Sequence, residues 1–168
     1  MKGCWIHLLL LLTMANRAHA NVAVDELNAL LAKKMLTKHS RLNVTTRSGM
    51  IKNLAENYYF VFIYKGSCPH CHHFAPVLKD FTDTFHINVK SYSLDDAPLD
   101  AFKGPPLTPE LFQTFFVAGG YKPAVPALFL VNRHTQDAFA VLFGEAQDYE
   151  LANRVHELMQ HIEEKYND

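Results

Sequence analysis

A buried strand that runs directly into a cysteine motif constrains this fold more than any other part of the chain. Residues 58–64, YYFVFIY, form a continuous aromatic and β-branched run, which is typical of a strand buried on both faces. A Cys-Pro-His-Cys motif occupies residues 68–71, and apolar residues then recur at helical spacing through Phe85. The cysteines are therefore predicted to lie in the turn between a central strand and a helix.

Further hydrophobic patterns predict an α/β domain around that turn. A short helix is expected at 50–56, and a helix at 108–116 should begin with Thr108 as its N-cap and a proline in the first helical position. The order β-α-β-α-β-β-α indicates a layered α/β fold with a mixed central sheet flanked by helices. The remaining runs predict strands at 87–94, 127–132 and 138–144, the last two forming an antiparallel hairpin, and a helix at 148–166.

The first twenty residues have the build of a secretory signal peptide. Lys2 precedes an apolar run at 5–12, and a small-x-small sequence closes the segment at 18–20. The run is far shorter than the roughly 20 residues needed to cross a bilayer. Cleavage before Asn21 is therefore expected, rather than retention as a membrane anchor.

The 37 residues that would follow, 21–57, are predicted to form an N-terminal helical extension of a domain at 58–168. Within them an amphipathic helix at 24–38 could either dock onto the domain or mediate homodimerisation. The formal net charge of the chain is −1, so no basic field recruits nucleic acid. Neither nucleic acid nor, after cleavage, a membrane is an expected partner.

Three cysteines in the full chain become two after cleavage, because Cys4 lies within the signal peptide. The loop between Cys68 and Cys71 is too short for a disulfide there to stabilise the fold much, so the pair is predicted to be reactive. The alternatives are a structural disulfide and a metal site completed by His72 or His73. Structural zinc usually takes a second ligand pair from elsewhere in the chain, and no second cysteine pair exists, so no metal is expected and the two histidines are predicted to be surface residues.

Redox chemistry suits a cysteine pair at a helix start. Cys68 would lie at the positive end of the helix, where unpaired backbone N–H groups favour a thiolate. His70, when protonated, would add positive charge and tune that thiolate. Cys71, one turn further along, is placed to resolve a mixed disulfide, and no cofactor is required.

The strand, the Cys-x-x-Cys turn and the helix, with Val125-Pro126 opening a later strand, resemble the thioredoxin superfamily. The resemblance implies a thioredoxin-like fold in which Pro126 is cis and lies against the reactive cysteines, where it shapes a substrate groove. It also implies that the backbone of Val125 pairs with an incoming peptide.

Two narrower patterns compete within that superfamily. The Pro-His dipeptide at 69–70 and VPALFLV at 125–131 resemble the periplasmic disulfide oxidase DsbA, but the chain between them is too short for that family's inserted helical domain. Three segments are more similar to the TrbB-like thiol–disulfide isomerases of F-type conjugative transfer systems: GSCPHCHHFAPVLK, LFQTFF at 111–116 and FLVNRHTQDAFAVLFGEAQD at 129–148.

The narrower resemblance implies a periplasmic thiol–disulfide oxidoreductase or isomerase. Its clients would be exported, cysteine-containing proteins of the conjugative pilus or transfer apparatus, and its redox partner would be of the DsbB or DsbD type. A DsbA-like oxidase is one alternative. A non-catalytic chaperone or assembly factor with the same fold is another.

The chain departs from the thioredoxin pattern at two positions beside the cysteines. Phe62 stands where thioredoxins carry a buried aspartate that relays protons, and Ser67 replaces an aromatic residue. Proton transfer is then left to water, Lys65 or His70. His70 also differs from the tyrosine expected in the isomerase family, which favours a more oxidising pair.

Overall fold

A computed structural model describes residues 28–36 and 49–167 of the chain, with side chains up to Lys165. The chain divides into two compact units, Met1–Arg47 and Ser48–Asp168. The expected signal peptide, with its cleavage site and Cys4, lies outside the described residues.

In the first unit, residues 28–36 form a helix, which falls within the helix predicted at 24–38. The rest of that predicted range lies outside the described residues. Nowhere in 28–36 or 49–167 does a helix have both the length and the apolar character that crossing a bilayer requires. Four large apolar side chains of the 28–36 helix are exposed: Leu30, Leu31, Met35 and Leu36.

The second unit is built on a mixed sheet of four strands in the order β2-β1-β3-β4. β1 runs parallel to β2 and antiparallel to β3, and β3 forms an antiparallel hairpin with β4. The hydrophobic run of β1 places it at the centre of the sheet, where all seven of its residues are buried. The strands are β1 (Tyr58–Tyr64), β2 (Val89–Ser93), β3 (Ala127–Asn132) and β4 (Ala138–Phe143).

Helices cover both faces of the sheet because successive side chains of β1 point to opposite sides. Phe60, Phe62 and Tyr64 pack with the cysteine helix (Pro69–Phe85) and the C-terminal helix (Asp148–Asn167). On the opposite face, Tyr59, Val61 and Ile63 pack with Phe115 and Phe116. The predicted α/β fold with a mixed sheet flanked by helices is confirmed.

The helix bounds follow local signals in the sequence. Pro69 occupies the first turn of the cysteine helix, and His86, in the left-handed conformation at φ 55°, ends it. Thr108 caps the next helix by accepting a hydrogen bond from the Leu111 N–H at 3.3 Å, as the sequence predicted.

The continuation of that helix differs from the prediction. Only Pro109–Phe112 is a regular α-helix, and Gln113–Val117 forms a wider π-helical turn. Phe115 and Phe116 are both buried against the sheet. A π turn changes the angle between successive side chains, so two neighbouring phenylalanines can reach the same core.

The short helix that precedes β1 packs with the second unit. Residues 49–57 form a helix whose Met50 and Leu54 belong to the core of the second unit. This helix lies within the second compact unit, Ser48–Asp168. The sequence pattern identified this short helix, but its packing partners are distant in the chain.

Candidate active site

The two cysteines lie at the junction of β1 and the cysteine helix, and they differ in exposure. Cys68 is the N-cap of the helix and is partly exposed, whereas Cys71 is fully buried. The Cys71 and His72 N–H groups donate to the Cys68 carbonyl at 3.0 and 3.2 Å, which forms the first helical turn. Both cysteines are free thiols. An incoming group can therefore reach Cys68 first, with Cys71 behind it.

Asp95, which follows β2, holds the turn that precedes Cys68. Its carboxylate accepts from the Gly66 N–H at 2.9 Å, the Ser67 N–H at 3.0 Å and the Ser67 hydroxyl at 2.8 Å. These hydrogen bonds hold the pKa of Asp95 well below its ordinary value, and the bond from the Ser67 hydroxyl contributes most. Ser67 is thus a donor to this carboxylate. Asp95 was not among the predicted site residues, because only an acidic loop is visible there in sequence.

Two further contacts position the same turn. A Cβ atom on Gly66 would lie 2.6 Å from Cβ of Ala97, so the close approach of these segments requires glycine. Nε2 of His72 lies 2.7 Å from the Gly66 carbonyl oxygen. His72 is exposed, as predicted for a surface residue, but it contacts the turn directly.

The predicted proline loop meets the cysteines. The Val125–Pro126 peptide bond is cis, and the Cys68 thiol donates to the Val125 carbonyl with the sulfur and oxygen 3.9 Å apart. Pro126 is buried and Val125 is partly exposed. The fold therefore brings Cys68 and Val125 together although 57 positions separate them. Their roles in catalysis and in peptide binding stay predictions.

His70 lies beside a carboxylate that the sequence did not identify. Nδ1 of His70 and Nδ1 of His73 are each 3.2 Å from the same oxygen, Oε2 of Glu145. The pKa of Glu145 is lowered, chiefly by its hydrogen bond with His70. His73 was predicted to be a surface residue, and it is exposed, but it shares this carboxylate with His70.

The position of the thioredoxin aspartate is filled by an aromatic cluster. Phe62 is fully buried, and its ring centroid lies 5.9 Å from that of Phe74 and 5.0 Å from that of Phe102. Burial raises the pKa of the Cys71 thiol from 9.0 to about 12. Cys71 is thus a neutral thiol in the resting reduced protein.

The raised pKa of Cys71 predicts a loss of stability at alkaline pH. Because folding favours the neutral thiol, its stabilisation is complete below pH 9 and declines as the pH rises from 9.0 towards about 12. We expect the reduced protein to lose on the order of 1 kcal/mol per pH unit in that interval through this group. Urea unfolding of the reduced wild type and of Cys71→Ala at each pH would measure the difference. An unfolding free-energy difference between them that does not change with pH would contradict the prediction.

A metal site at the cysteine motif is the alternative that the sequence left open. Across residues 28–36 and 49–167, the structure contains no group of three or more His, Cys, Asp or Glu side chains placed to hold a metal ion. The histidines nearest the cysteines make other contacts: His72 with the Gly66 carbonyl and His73 with Glu145.

The strand order, the cysteine pair at a helix start and the cis proline facing it define a member of the thioredoxin superfamily. The thioredoxin-like fold implied by the sequence resemblance is therefore confirmed. More specifically, the chain belongs to the TraF family, described as F plasmid transfer operon protein, which matches residues 32–156.

The chain is also similar in sequence to a curated protein. Protein TrbB of Escherichia coli (strain K12) is 36% identical to this chain over 114 residues, which are 67% of this chain and 61% of TrbB. The predicted similarity to TrbB is confirmed. The chain spans 61% of the length of that relative, less than two thirds.

Two solved structures of low sequence identity are also similar. A thiol:disulfide interchange protein of the thioredoxin family from Chlorobium tepidum TLS has a TM-score of 0.49 and 16% identity, covering 64% of this chain and 83% of its own. The MTB protein dsbF has a TM-score of 0.42 and 18% identity, covering 64% of this chain and 84% of its own. The strand order and the cysteine site of this chain, rather than these two similarities, define its fold.

Proposed function

We propose that this protein is an exported thiol–disulfide oxidoreductase, with isomerase activity, that acts through Cys68 and Cys71. The observation that carries the proposal is the position of the Cys68 sulfur. It lies at the start of the cysteine helix, partly exposed, and 3.9 Å from the Val125 carbonyl oxygen of the cis-proline loop. A nucleophile, a buried second thiol and a peptide backbone thus meet at one point.

Disulfide exchange accounts for the different environments of the two thiols. The Cys68 thiolate attacks one sulfur of a client disulfide and forms a mixed disulfide, and the client's other sulfur leaves as a thiolate. Cys71 then loses its proton and attacks the Cys68 sulfur, which releases the client's remaining thiolate and forms the Cys68–Cys71 disulfide. Two electrons pass from the cysteine pair to the client, and the released thiolates take up protons from water. The reverse sequence oxidises a client.

Isomerisation uses the same mixed disulfide without net electron transfer. A different thiolate of the client attacks the client sulfur that is bonded to Cys68, and Cys68 leaves as the thiolate. This outcome is favoured when Cys71 resolves slowly, because the client then has time to rearrange. Burial of Cys71 and its raised pKa slow its deprotonation, which supports the isomerase assignment.

Client binding is assigned to the cis-proline loop. Val125 would pair its backbone with an extended client segment, and Pro126 would hold that backbone beside Cys68. His70 would tune the thiolate from the first helical turn. No cofactor takes part in this mechanism.

Membership of the TraF family supports a role in conjugation, and the amino-terminal pattern supports export. We assign the protein to the periplasm, where the clients would be cysteine-containing components of the pilus or transfer apparatus. A partner of the DsbB type would return the pair to the disulfide, and one of the DsbD type would return it to the dithiol. The exposed apolar face at 28–36 is consistent with a homodimer.

Activity on ribonuclease distinguishes this proposal from its alternatives. We expect the purified protein to reactivate scrambled ribonuclease when a thiol buffer keeps Cys68 reduced. Oxidation of reduced ribonuclease without reactivation of the scrambled form would instead identify an oxidase like DsbA. Inactivity in both assays would favour a non-catalytic assembly factor, for which the exposed Leu30, Leu31, Met35 and Leu36 would supply a binding surface.

A further inference from the structure

We propose that Glu145 sets the reduction potential of the Cys68–Cys71 pair by acting on His70, so that the disulfide is less oxidising than its Pro-His dipeptide implies. This inference rests on the proposed redox function. Glu145 is a tuning residue that acts through another side chain, since no contact places it on either sulfur. The reduction potential bears on whether the cysteine pair oxidises clients or isomerises their disulfides, which the Cys-Pro-His-Cys motif leaves open.

The geometry joins Glu145 to the dipeptide between the cysteines. His70 and His73 lie three residues apart on the cysteine helix, so both imidazoles reach the same side of it. One carboxylate oxygen, Oε2 of Glu145, is 3.2 Å from Nδ1 of each ring. The Glu145 side chain is 41% exposed, and that of His70 is 66% exposed. The cluster is therefore a surface arrangement next to a reactive thiol.

The backbone brings this carboxylate to the site. Gly144, which lies between β4 and Glu145, has φ at 96°, a left-handed value that favours glycine. The Gly144 N–H donates to the Pro126 carbonyl at 2.8 Å. The loop that carries Glu145 is thus hydrogen-bonded to the cis-proline loop that faces Cys68.

Charge determines the direction of the effect. An imidazolium at His70 would favour the Cys68 thiolate, which stabilises the dithiol form and makes the disulfide more oxidising. The Glu145 carboxylate, 3.2 Å from Nδ1 of His70, cancels that positive charge. Because hydrogen bonding lowers the pKa of Glu145, the carboxylate stays ionised throughout the neutral range.

The cavity that Glu145 lines has more acidic than basic side chains. The C-terminal helix contributes Glu150, Arg154 and Glu157 to a cavity of about 450 Å³ that Glu145 also lines. Asp95, which accepts a hydrogen bond from the Gly66 N–H, is a further carboxylate at the cysteine turn. Arg154 is the one Lys or Arg side chain of this cavity lining, and the imidazole of His73 contacts the same Glu145 oxygen as His70.

The test is the equilibrium of the Cys68–Cys71 pair with glutathione. In Glu145→Gln, which keeps the size of the side chain and removes its charge, we expect the equilibrium to shift about three- to fivefold towards the dithiol. That change corresponds to about 14 to 21 mV more oxidising, at 29.6 mV for each tenfold change. In a His70→Ala background the same substitution should leave the equilibrium unchanged. Glu157→Gln is the matched control, because it removes a charge from the same cavity without touching His70.

Each outcome has one meaning. An unshifted equilibrium in Glu145→Gln, or an equal shift in the presence and absence of His70, would overturn the role of Glu145. An equal shift in Glu157→Gln would overturn it as well, because general surface charge would then explain the result. If the wild-type cysteines did not exchange with glutathione at all, the proposed redox function would fail, and this inference with it.

Discussion

Cys68→Ala is expected to abolish disulfide exchange, lowering the rate of scrambled-ribonuclease reactivation by at least about a thousandfold. Cys68 is the partly exposed sulfur of the pair, and Cys71 is fully buried. Removal of Cys68 leaves a thiol that a client cannot reach and that is uncharged at neutral pH, because burial raises its pKa to about 12.

Cys71→Ala is the matched control for that prediction. This variant keeps the attacking thiol, so it should form mixed disulfides with clients and release them slowly. Trapped complexes separated on non-reducing gels would identify those clients in conjugating cells. Reactivation by Cys68→Ala at a rate near that of the wild type would refute the assignment of Cys68 as the nucleophile.

Phe62→Asp is expected to cost at least about 5 kcal/mol of unfolding free energy, enough to unfold a domain of ordinary stability. The substitution restores the acid that thioredoxins carry at this position. Here it would remove the aromatic contacts with Tyr64, Phe74 and Phe102 and bury a carboxyl group without a partner. We therefore expect an aspartate at position 62 to destabilise this core.

Phe62→Leu separates the loss of contacts from the burial of charge. It keeps an apolar side chain, so its cost should be about 1 to 2 kcal/mol. Urea unfolding gives the free energy for each variant, and circular dichroism shows whether Phe62→Asp folds at all. Equal stability of the two variants would show that the site can solvate an acid, contrary to our prediction.

Local patterns predicted most of the secondary structure. The continuous apolar run of β1 and the helical spacing after it fixed the cysteine turn, because burial on both faces and helical periodicity are visible in neighbouring residues. The helix predicted at 69–85 has the observed bounds, Pro69–Phe85. The π turn at Gln113–Val117 was missed, since it depends on how two phenylalanines meet the sheet.

Local sequence patterns did not predict which side chains contact the cysteine turn. Asp95 lies 29 positions from Gly66, and Glu145 lies 72 positions from His73, so no local period marks either contact. An acidic residue in a loop has the same appearance in sequence whether it faces solvent or accepts hydrogen bonds. The cis state of Pro126 was expected from the family resemblance alone, because an X–Pro bond is seldom cis.

The sequence by itself determined the fold class, the strand and helix around Cys68 and Cys71, and the kind of chemistry that such a pair performs. These follow from hydrophobic periodicity and from the reactivity of a thiol at a helix start. Only the tertiary structure decided how completely Cys71 is buried, how close the Val125 carbonyl lies to the Cys68 sulfur and which carboxylate lies beside His70. The physical reason is that burial and electrostatic environment depend on segments that meet only when the chain folds.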